Sequence, residues 1–94
     1  MSAGHSGNSD VGRASHRGLL KLMVKLPSIR GQLQMIAARR ASLLDLCEAY
    51  DEATAMLDRL ERGQAEDFGG LLQEYRIVCS EIETDVIQYC LQHK

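Results

Sequence analysis

The sequence predicts an all-α protein in which an antiparallel helical hairpin of two long helices, about 29–62 and 69–92, follows a short amphipathic helix, about 17–26. Three observations predict this class. The 94 residues contain one proline and no tryptophan. Residues 32–62 contain neither glycine nor proline and only two β-branched residues, so little in them opposes helix formation. Apolar residues recur three and four positions apart, which is the period of an α-helix.

The first sixteen residues are rich in glycine, serine, asparagine and histidine and offer little apolar surface. Ordering such a segment costs conformational entropy that burial does not offset. The sequence therefore predicts a disordered, flexible N-terminal tail over residues 1–16. The remainder, residues 17–94, is predicted to form a single helical domain.

The short helix is predicted from four apolar residues at helical spacing, with Lys21 and Lys25 on another face. Pro27 is expected to end it, and Ser28 stands where the N-cap of the next helix belongs. A two-helix hairpin covers its own apolar surface poorly. We therefore expect a homo-oligomer or partner contact that buries either the apolar face of the short helix or the second flank of the hairpin. Whether the short helix packs on its own hairpin or on a partner stays open. The candidate partner-binding residues of its apolar face are Leu19, Leu22, Met23 and Leu26.

The first long helix carries a coiled-coil-like apolar stripe with a seven-residue repeat. Gly63 follows it and is expected to end it in the left-handed conformation that glycine adopts readily. The stripe includes Ile36, Leu43, Tyr50 and Leu57.

The second long helix has the most regular stripe in the sequence, with apolar residues alternately four and three positions apart. Asp67 can cap this helix, although Gly69 and Gly70 weaken its first turn and could move its start to Leu71. Because the linker between the two long helices is short, they are expected to pair as an antiparallel hairpin. The stripe is formed by Phe68, Leu72, Tyr75, Cys79, Ile82, Val86 and Tyr89.

Charge is divided unevenly along the chain. Residues 1–40 contain seven basic side chains and one acid, a net charge of +6, whereas residues 41–94 contain four basic and twelve acidic side chains, a net charge of −8. The two parts could neutralise each other across the fold, and the expected hairpin register brings Arg39 and Arg40 towards Asp85 as an ion pair. Alternatively, the basic segment 13–30 binds nucleic acid or an anionic surface. That interpretation uses Arg13, Arg17, Lys21, Lys25 and Arg30.

The three cysteines give an odd number, and the N-terminus lacks the apolar core of a secretory signal, so a cytoplasmic protein is expected. No apolar run is long enough to span a membrane. Cys90 and His93 have the spacing of half a zinc site, but no second half follows, so no metal or other cofactor is expected. A disulfide between Cys47 and Cys79 is conceivable in the hairpin, although a reducing compartment disfavours it. The roles of the three cysteines stay open.

No nucleotide-binding loop and no catalytic constellation of serine, histidine and acid is present, so the sequence does not predict an enzyme. A helical domain this small is often marginally stable unless it associates. We therefore expect a small regulatory or adaptor protein that acts by protein–protein interaction, as a homo-oligomer, most simply a homodimer, and with a second, unidentified protein partner. The alternative is the nucleic-acid or anionic-surface binder described above.

Overall fold

The computed structural model describes the backbone of residues 2–93 and the side chains of residues 12–93. Between residues 2 and 93 the chain forms α-helices and two short 3-10 turns and contains no strand, so the predicted all-α class is confirmed. The helices are α1 (Ser2–Lys25), α2 (Arg30–Ala37), α3 (Ala41–Glu61) and α4 (Leu71–Gln92). The 3-10 turns are Pro27–Ile29, before α2, and Phe68–Gly70, before α4.

Helix α1 is longer than the helix predicted at 17–26, which forms only its C-terminal part. The predicted flexible tail, residues 1–16, falls mainly on residues 1–11, whose side chains lie outside the described part of the structure. Within the described part, Ser15 belongs to α1 and is only 9% exposed. Ser15 thus lies inside the fold, although its small polar side chain is equally typical of a solvated tail.

The single helix predicted at 29–62 is wrong, because the chain leaves the helical conformation between α2 and α3. Arg40 is extended, with φ −125° and ψ 108°. Ile36 at the end of α2 and Leu43 at the start of α3 are 2% and 0% exposed and belong to one core. Packing of these two side chains accompanies a break that no glycine or proline marks, so tertiary burial outweighs local helix propensity here.

The helix ends agree with some sequence predictions and contradict others. Gly63 has φ +73°, and the N–H groups of Gly63 and Gln64 donate to the carbonyls of Leu60 and Arg59 at 3.2 and 2.8 Å, a Schellman motif that ends α3. The cap predicted at Ser28 is wrong, because this residue lies inside the first 3-10 turn and α2 has no side-chain cap.

Helix α4 begins at Leu71, after Gly69 and Gly70 adopt positive φ angles of 59° and 83°. The Asp67 carboxylate accepts a hydrogen bond of 2.8 Å from the N–H of Leu72. The later start of the helix at Leu71 is confirmed. Its N-cap is Gly70 rather than Asp67, although the Asp67 carboxylate still satisfies one N–H of the first turn.

Polar contacts between α3 and α4 run in opposite order along the two helices. The hydroxyls of Ser42 and Tyr89 are hydrogen-bonded near one end. At the other end, the Arg76 guanidinium lies 3.5 Å from the Glu61 carboxylate.

The ion pair expected between Asp85 and Arg39 or Arg40 is not formed among the described residues. The break before α3 places both arginines beside the C-terminal end of α4, whereas Asp85 lies about two turns before that end.

Helix α3 is central, because both α1 and α4 pack against it and have few contacts with each other. The molecule is thin, with Cα extents of 41 × 39 × 17 Å. The core contains residues from all four helices, and its fully buried larger side chains are Leu22, Leu33, Leu43, Cys47, Val86 and Cys90.

Candidate functional site

The four apolar residues predicted to bind a partner lie against the core of their own chain. Leu22 is fully buried, and Leu19, Met23 and Leu26 are partly buried and pack against the core cluster. The structure thus answers the question that the sequence left open, because the helix containing residues 17–25 packs on its own chain.

Two of the five basic residues considered for anion binding hold a buried acid of α3. The Arg17 Nη2 and Lys21 Nζ atoms lie 3.1 and 2.9 Å from the carboxylate oxygens of Asp51. Burial alone would raise the pKa of Asp51, but hydrogen bonds from Lys21 and Arg17 outweigh it and hold this pKa below its ordinary value. Part of the positive charge of residues 1–40 is therefore neutralised within the fold by an acid of the second part of the chain, between α1 and α3.

The other three residues of that set, Arg13, Lys25 and Arg30, have exposed side chains. Lys25 is near the end of α1, and Arg30 begins α2. Of the five residues, Arg17 and Lys21 thus pair with Asp51, and the other three have side chains at the surface.

Helices α1 and α3 touch through their backbones at Gly18. A Cβ atom built on this glycine would lie 1.7 Å from the carbonyl oxygen of Cys47 and 2.5 Å from its carbonyl carbon. Only a residue without a side chain permits this distance. The crossing brings Arg17 and Lys21 up to Asp51 and fixes the relative position of the two helices.

A surface groove lies between α1 and α3, and we call it the α1–α3 groove. Two exposed apolar residues one turn apart, Leu20 and Val24, line it from α1 and are 47% and 81% exposed. Tyr50 and Thr54 line it from α3, and Lys21 and Lys25 complete it. Leu20 and Val24 were not predicted from the sequence, because the apolar stripe predicted for this helix lies on a different, buried face. Their i, i+4 spacing was the available signal.

The α3 side of the groove is held by hydrogen bonds. The Tyr50 hydroxyl donates to Glu83 of α4 at 2.6 Å, and burial followed by this carboxylate raises the pKa of Tyr50 above its ordinary value. Lys21 Nζ donates to the Thr54 hydroxyl at 2.8 Å, and that hydroxyl donates to the Tyr50 carbonyl at 2.8 Å. These contacts hold the side chains of Lys21, Tyr50 and Thr54 in position along the groove.

A second apolar feature with the opposite charge lies on α4. Ile77 is 48% exposed, and the exposed acids Glu74 and Glu81 lie three residues before it and four after it. This spacing places the three side chains on one face of the helix. We call Glu74, Ile77 and Glu81 the α4 ridge.

The cysteines are structural residues of the core. Cys47, Cys79 and Cys90 are all free and buried, so the conceivable disulfide between Cys47 and Cys79 is not formed. Burial raises the pKa of Cys47 to about 11, and the nearby Cys90 adds to the effect. Among the described residues no group of three or more histidine, cysteine or acidic side chains could hold a metal ion.

We expect these thiols to resist alkylation as long as the chain is folded, because the thiolate is the reactive form and burial disfavours it. Iodoacetamide at pH 8, followed by mass spectrometry, should leave the native chain unlabelled over a period in which the urea-unfolded chain is labelled three times. Rapid labelling of one cysteine in the native chain would contradict the burial seen here.

Comparisons with models of protein families, with curated proteins and with solved structures gave no match. In the part of the chain that the structure describes, no helix combines the length and the apolar character needed to cross a membrane.

Proposed function

We propose that the chain is a small non-enzymatic interaction module, regulatory or adaptor in kind, that acts as a homodimer. In the dimer, the α1–α3 groove of one copy receives the α4 ridge of the other, and α3 and α4 act as the antiparallel hairpin that presents the ridge. The observation that carries this proposal is the 81% exposure of Val24 in an apolar groove. Three free thiols favour the cytoplasm as its location.

Charge complementarity supports a second copy as the occupant of the groove. Exposed Lys25 borders the apolar side chains of the groove, where Lys21 is paired with Asp51, whereas Glu74 and Glu81 flank Ile77 on the ridge. Opposite charges around two matching apolar features favour association of these surfaces and disfavour groove with groove or ridge with ridge. A two-fold axis would form the same groove-to-ridge contact twice.

The dimensions of the molecule also support association. Its thinnest Cα extent, 17 Å, is about the thickness of two packed helices, because the Cα cylinder of one helix is ~4.6 Å wide and packed helix axes lie ~8–10 Å apart. A domain of this size buries little of its apolar surface alone. Seating Leu20, Val24 and Ile77 in an interface would bury three of the large apolar side chains that are now exposed.

Replacing Val24 with aspartate should weaken dimerisation at least about tenfold, because it places an unpaired charge in the interface. Sedimentation velocity over a concentration series measures the effect, and circular dichroism verifies that the variant is folded. Met35→Asp is the matched control, since Met35 is 58% exposed on α2 and lies outside the groove. We expect a dimer dissociation constant of ~10 µM. A wild-type chain that stays monomeric at ~100 µM would therefore overturn the proposal.

Charge reversal tests the orientation of the two copies. Lys25→Glu and Glu81→Lys should each weaken their own homodimer, because each places like charges across both contacts. An equimolar mixture of the two variants should dimerise again, since every contact in the mixed dimer then joins opposite charges. Failure of the mixture to associate more strongly than either variant alone would exclude pairing of the groove with the ridge.

A further inference from the structure

A surface cavity lies where α2 ends, α3 begins and α4 ends. It is lined by Ile36 of α2, by Arg39 and Arg40 of the connection, and by Gln92 and His93 at the end of α4. Ile36 is 2% exposed and belongs to the core, so the cavity has an apolar base and a rim of nitrogen-bearing side chains. This cavity is separate from the α1–α3 groove, with which it shares no lining residue.

The backbone around the cavity is held by hydrogen bonds from each helix. The N–H groups of Arg39 and Arg40 both donate to the Ile36 carbonyl, at 3.0 and 2.8 Å, and the Arg40 carbonyl accepts from Leu43 of α3 at 3.2 Å. On the α4 side, the His93 ring lies 4.3 Å from the Tyr89 ring, centroid to centroid, and the Tyr89 hydroxyl is bonded to Ser42 of α3. The two arginines and His93 therefore start from fixed backbone positions.

The charges at this cavity lack compensation. Among the residues that the structure describes, no acid lines the cavity and neither Arg39 nor Arg40 takes part in an ion pair. The helix dipoles place about half a negative elementary charge at the C-terminal ends of α2 and α4. They place about half a positive elementary charge at the N-terminal end of α3. Two full guanidinium charges thus exceed the local negative charge by about 1.5 units.

We propose that this cavity binds a phosphate group, in the form of a phosphomonoester dianion. Two guanidinium groups present planar sets of N–H donors that match phosphate oxygens, and the amide of Gln92 and the ring of His93 supply further donors on the opposite wall. The excess positive charge is of the size that a dianion neutralises. The site adds ligand binding to an interaction module and does not depend on dimerisation.

Titration of the isotope-labelled full-length chain with inorganic phosphate tests the proposal directly. In NMR spectra, saturable shifts should appear at the backbone amides of residues 39–42 and 92–93 and at the side-chain Nε–H groups of the two arginines. Potassium chloride at matched ionic strength should not produce them. Shifts that fail to saturate, or that centre on the lysines of α1, would overturn the proposal. Because this titration uses the unaltered chain, its result tests the proposal even if variants fold poorly.

Variants then measure the contribution of each arginine. Arg39→Gln and Arg40→Gln should each weaken phosphate binding about tenfold or more, since each removes charge-assisted hydrogen bonds. Arg30→Gln is the matched control, because Arg30 is exposed at the opposite end of α2, about 12 Å along the helix axis from the cavity. Equal weakening by all three variants would show nonspecific attraction and would contradict a site at the cavity.

A phosphomonoester can belong to a soluble molecule or to a lipid head group, and vesicles distinguish the two sources. Co-sedimentation with vesicles containing phosphatidic acid, but not with pure phosphatidylcholine vesicles, would assign the phosphate to a lipid if Arg40→Gln abolishes it. Saturable binding of inorganic phosphate without such co-sedimentation would assign it to a soluble ligand.

Discussion

Replacing Gly18 with alanine is expected to lower the free energy of unfolding by at least about 3 kcal/mol, the upper part of the range for overpacked cores. The added Cβ would lie 1.7 Å from the Cys47 carbonyl oxygen, well inside van der Waals contact. The obstacle is backbone rather than a flexible side chain, so relief requires α1 and α3 to move apart. That movement would also loosen the Asp51 ion pairs and the packing of Leu22 against the core.

The matched control for this variant is Gly31→Ala. Gly31 is also helical, in α2, but a Cβ there would meet no atom within 4 Å. Alanine should raise stability at this position by about 0.5–1 kcal/mol, since it restricts the unfolded chain and favours the helix. Urea unfolding followed by circular dichroism measures both variants. Equal and small effects at Gly18 and Gly31 would contradict the close crossing of α1 and α3.

The difference between these two glycines shows what the sequence could and could not predict about α1. The periodicity of residues 19–26 predicted the C-terminal part of the helix, because burial of one apolar face leaves a pattern in the sequence. Close approach of two backbones leaves only small residues, which are equally typical of a flexible segment. Ser15 was therefore assigned to the flexible tail, and the contact made by Gly18 at the start of the predicted short helix was missed, although both residues are buried.

The break between α2 and α3 was not predictable for a related reason. Residues 38–40 are two arginines and an alanine, all good helix formers, and their local preference agrees with the continuous helix that was predicted. The residues on either side of the break, Ile36 and Leu43, are buried in one core, and tertiary packing of this kind is not contained in local propensity. The cavity at the end of α2 lies at this break, as do Arg39 and Arg40, which form no ion pair within the described part of the chain.

The candidate dimer surface was predictable in its charge but not in its residues. The division between a basic and an acidic part of the chain was evident, and the structure places basic groups beside the groove and acids beside the ridge. The apolar residues of the groove were missed because two faces of α1 carry apolar side chains. Which face is buried depends on the position of Gly18 against α3.

The buried acid of α3 shows a similar limit. Asp51 adjoins Tyr50 of the predicted apolar stripe, but an acid at the edge of a stripe is usually solvated. Its burial at 6% exposure depends on the approach of α1, which supplies both cations.

Replacing Asp51 with asparagine is expected to lower the free energy of unfolding at neutral pH by about 2 kcal/mol. Breaking a fully buried ion pair costs ~3–5 kcal/mol. We expect a smaller loss here because the two cationic side chains can turn to water when the carboxylate is removed. The side chains of Arg17 and Lys21 are 56% and 39% exposed. The control is Asp58→Asn: Asp58 pairs with Arg62, both side chains are more than half exposed, and the expected cost is at most about 0.5 kcal/mol.

The effect of Asp51→Asn should depend on pH with a defined sign. The pKa of Asp51 is held below its ordinary value in the folded chain, so the unfolded chain takes up the proton first as the pH falls. The stabilisation by the carboxylate is thus complete above about pH 4 and is lost as the pH falls through the folded-state pKa. Urea unfolding at a series of pH values should show the gap between wild type and variant shrinking below about pH 4. At about pH 2, carboxylates of ordinary pKa are protonated. If the difference in free energy of unfolding between wild type and variant stays constant down to that pH, packing rather than charge makes Asp51 stabilising.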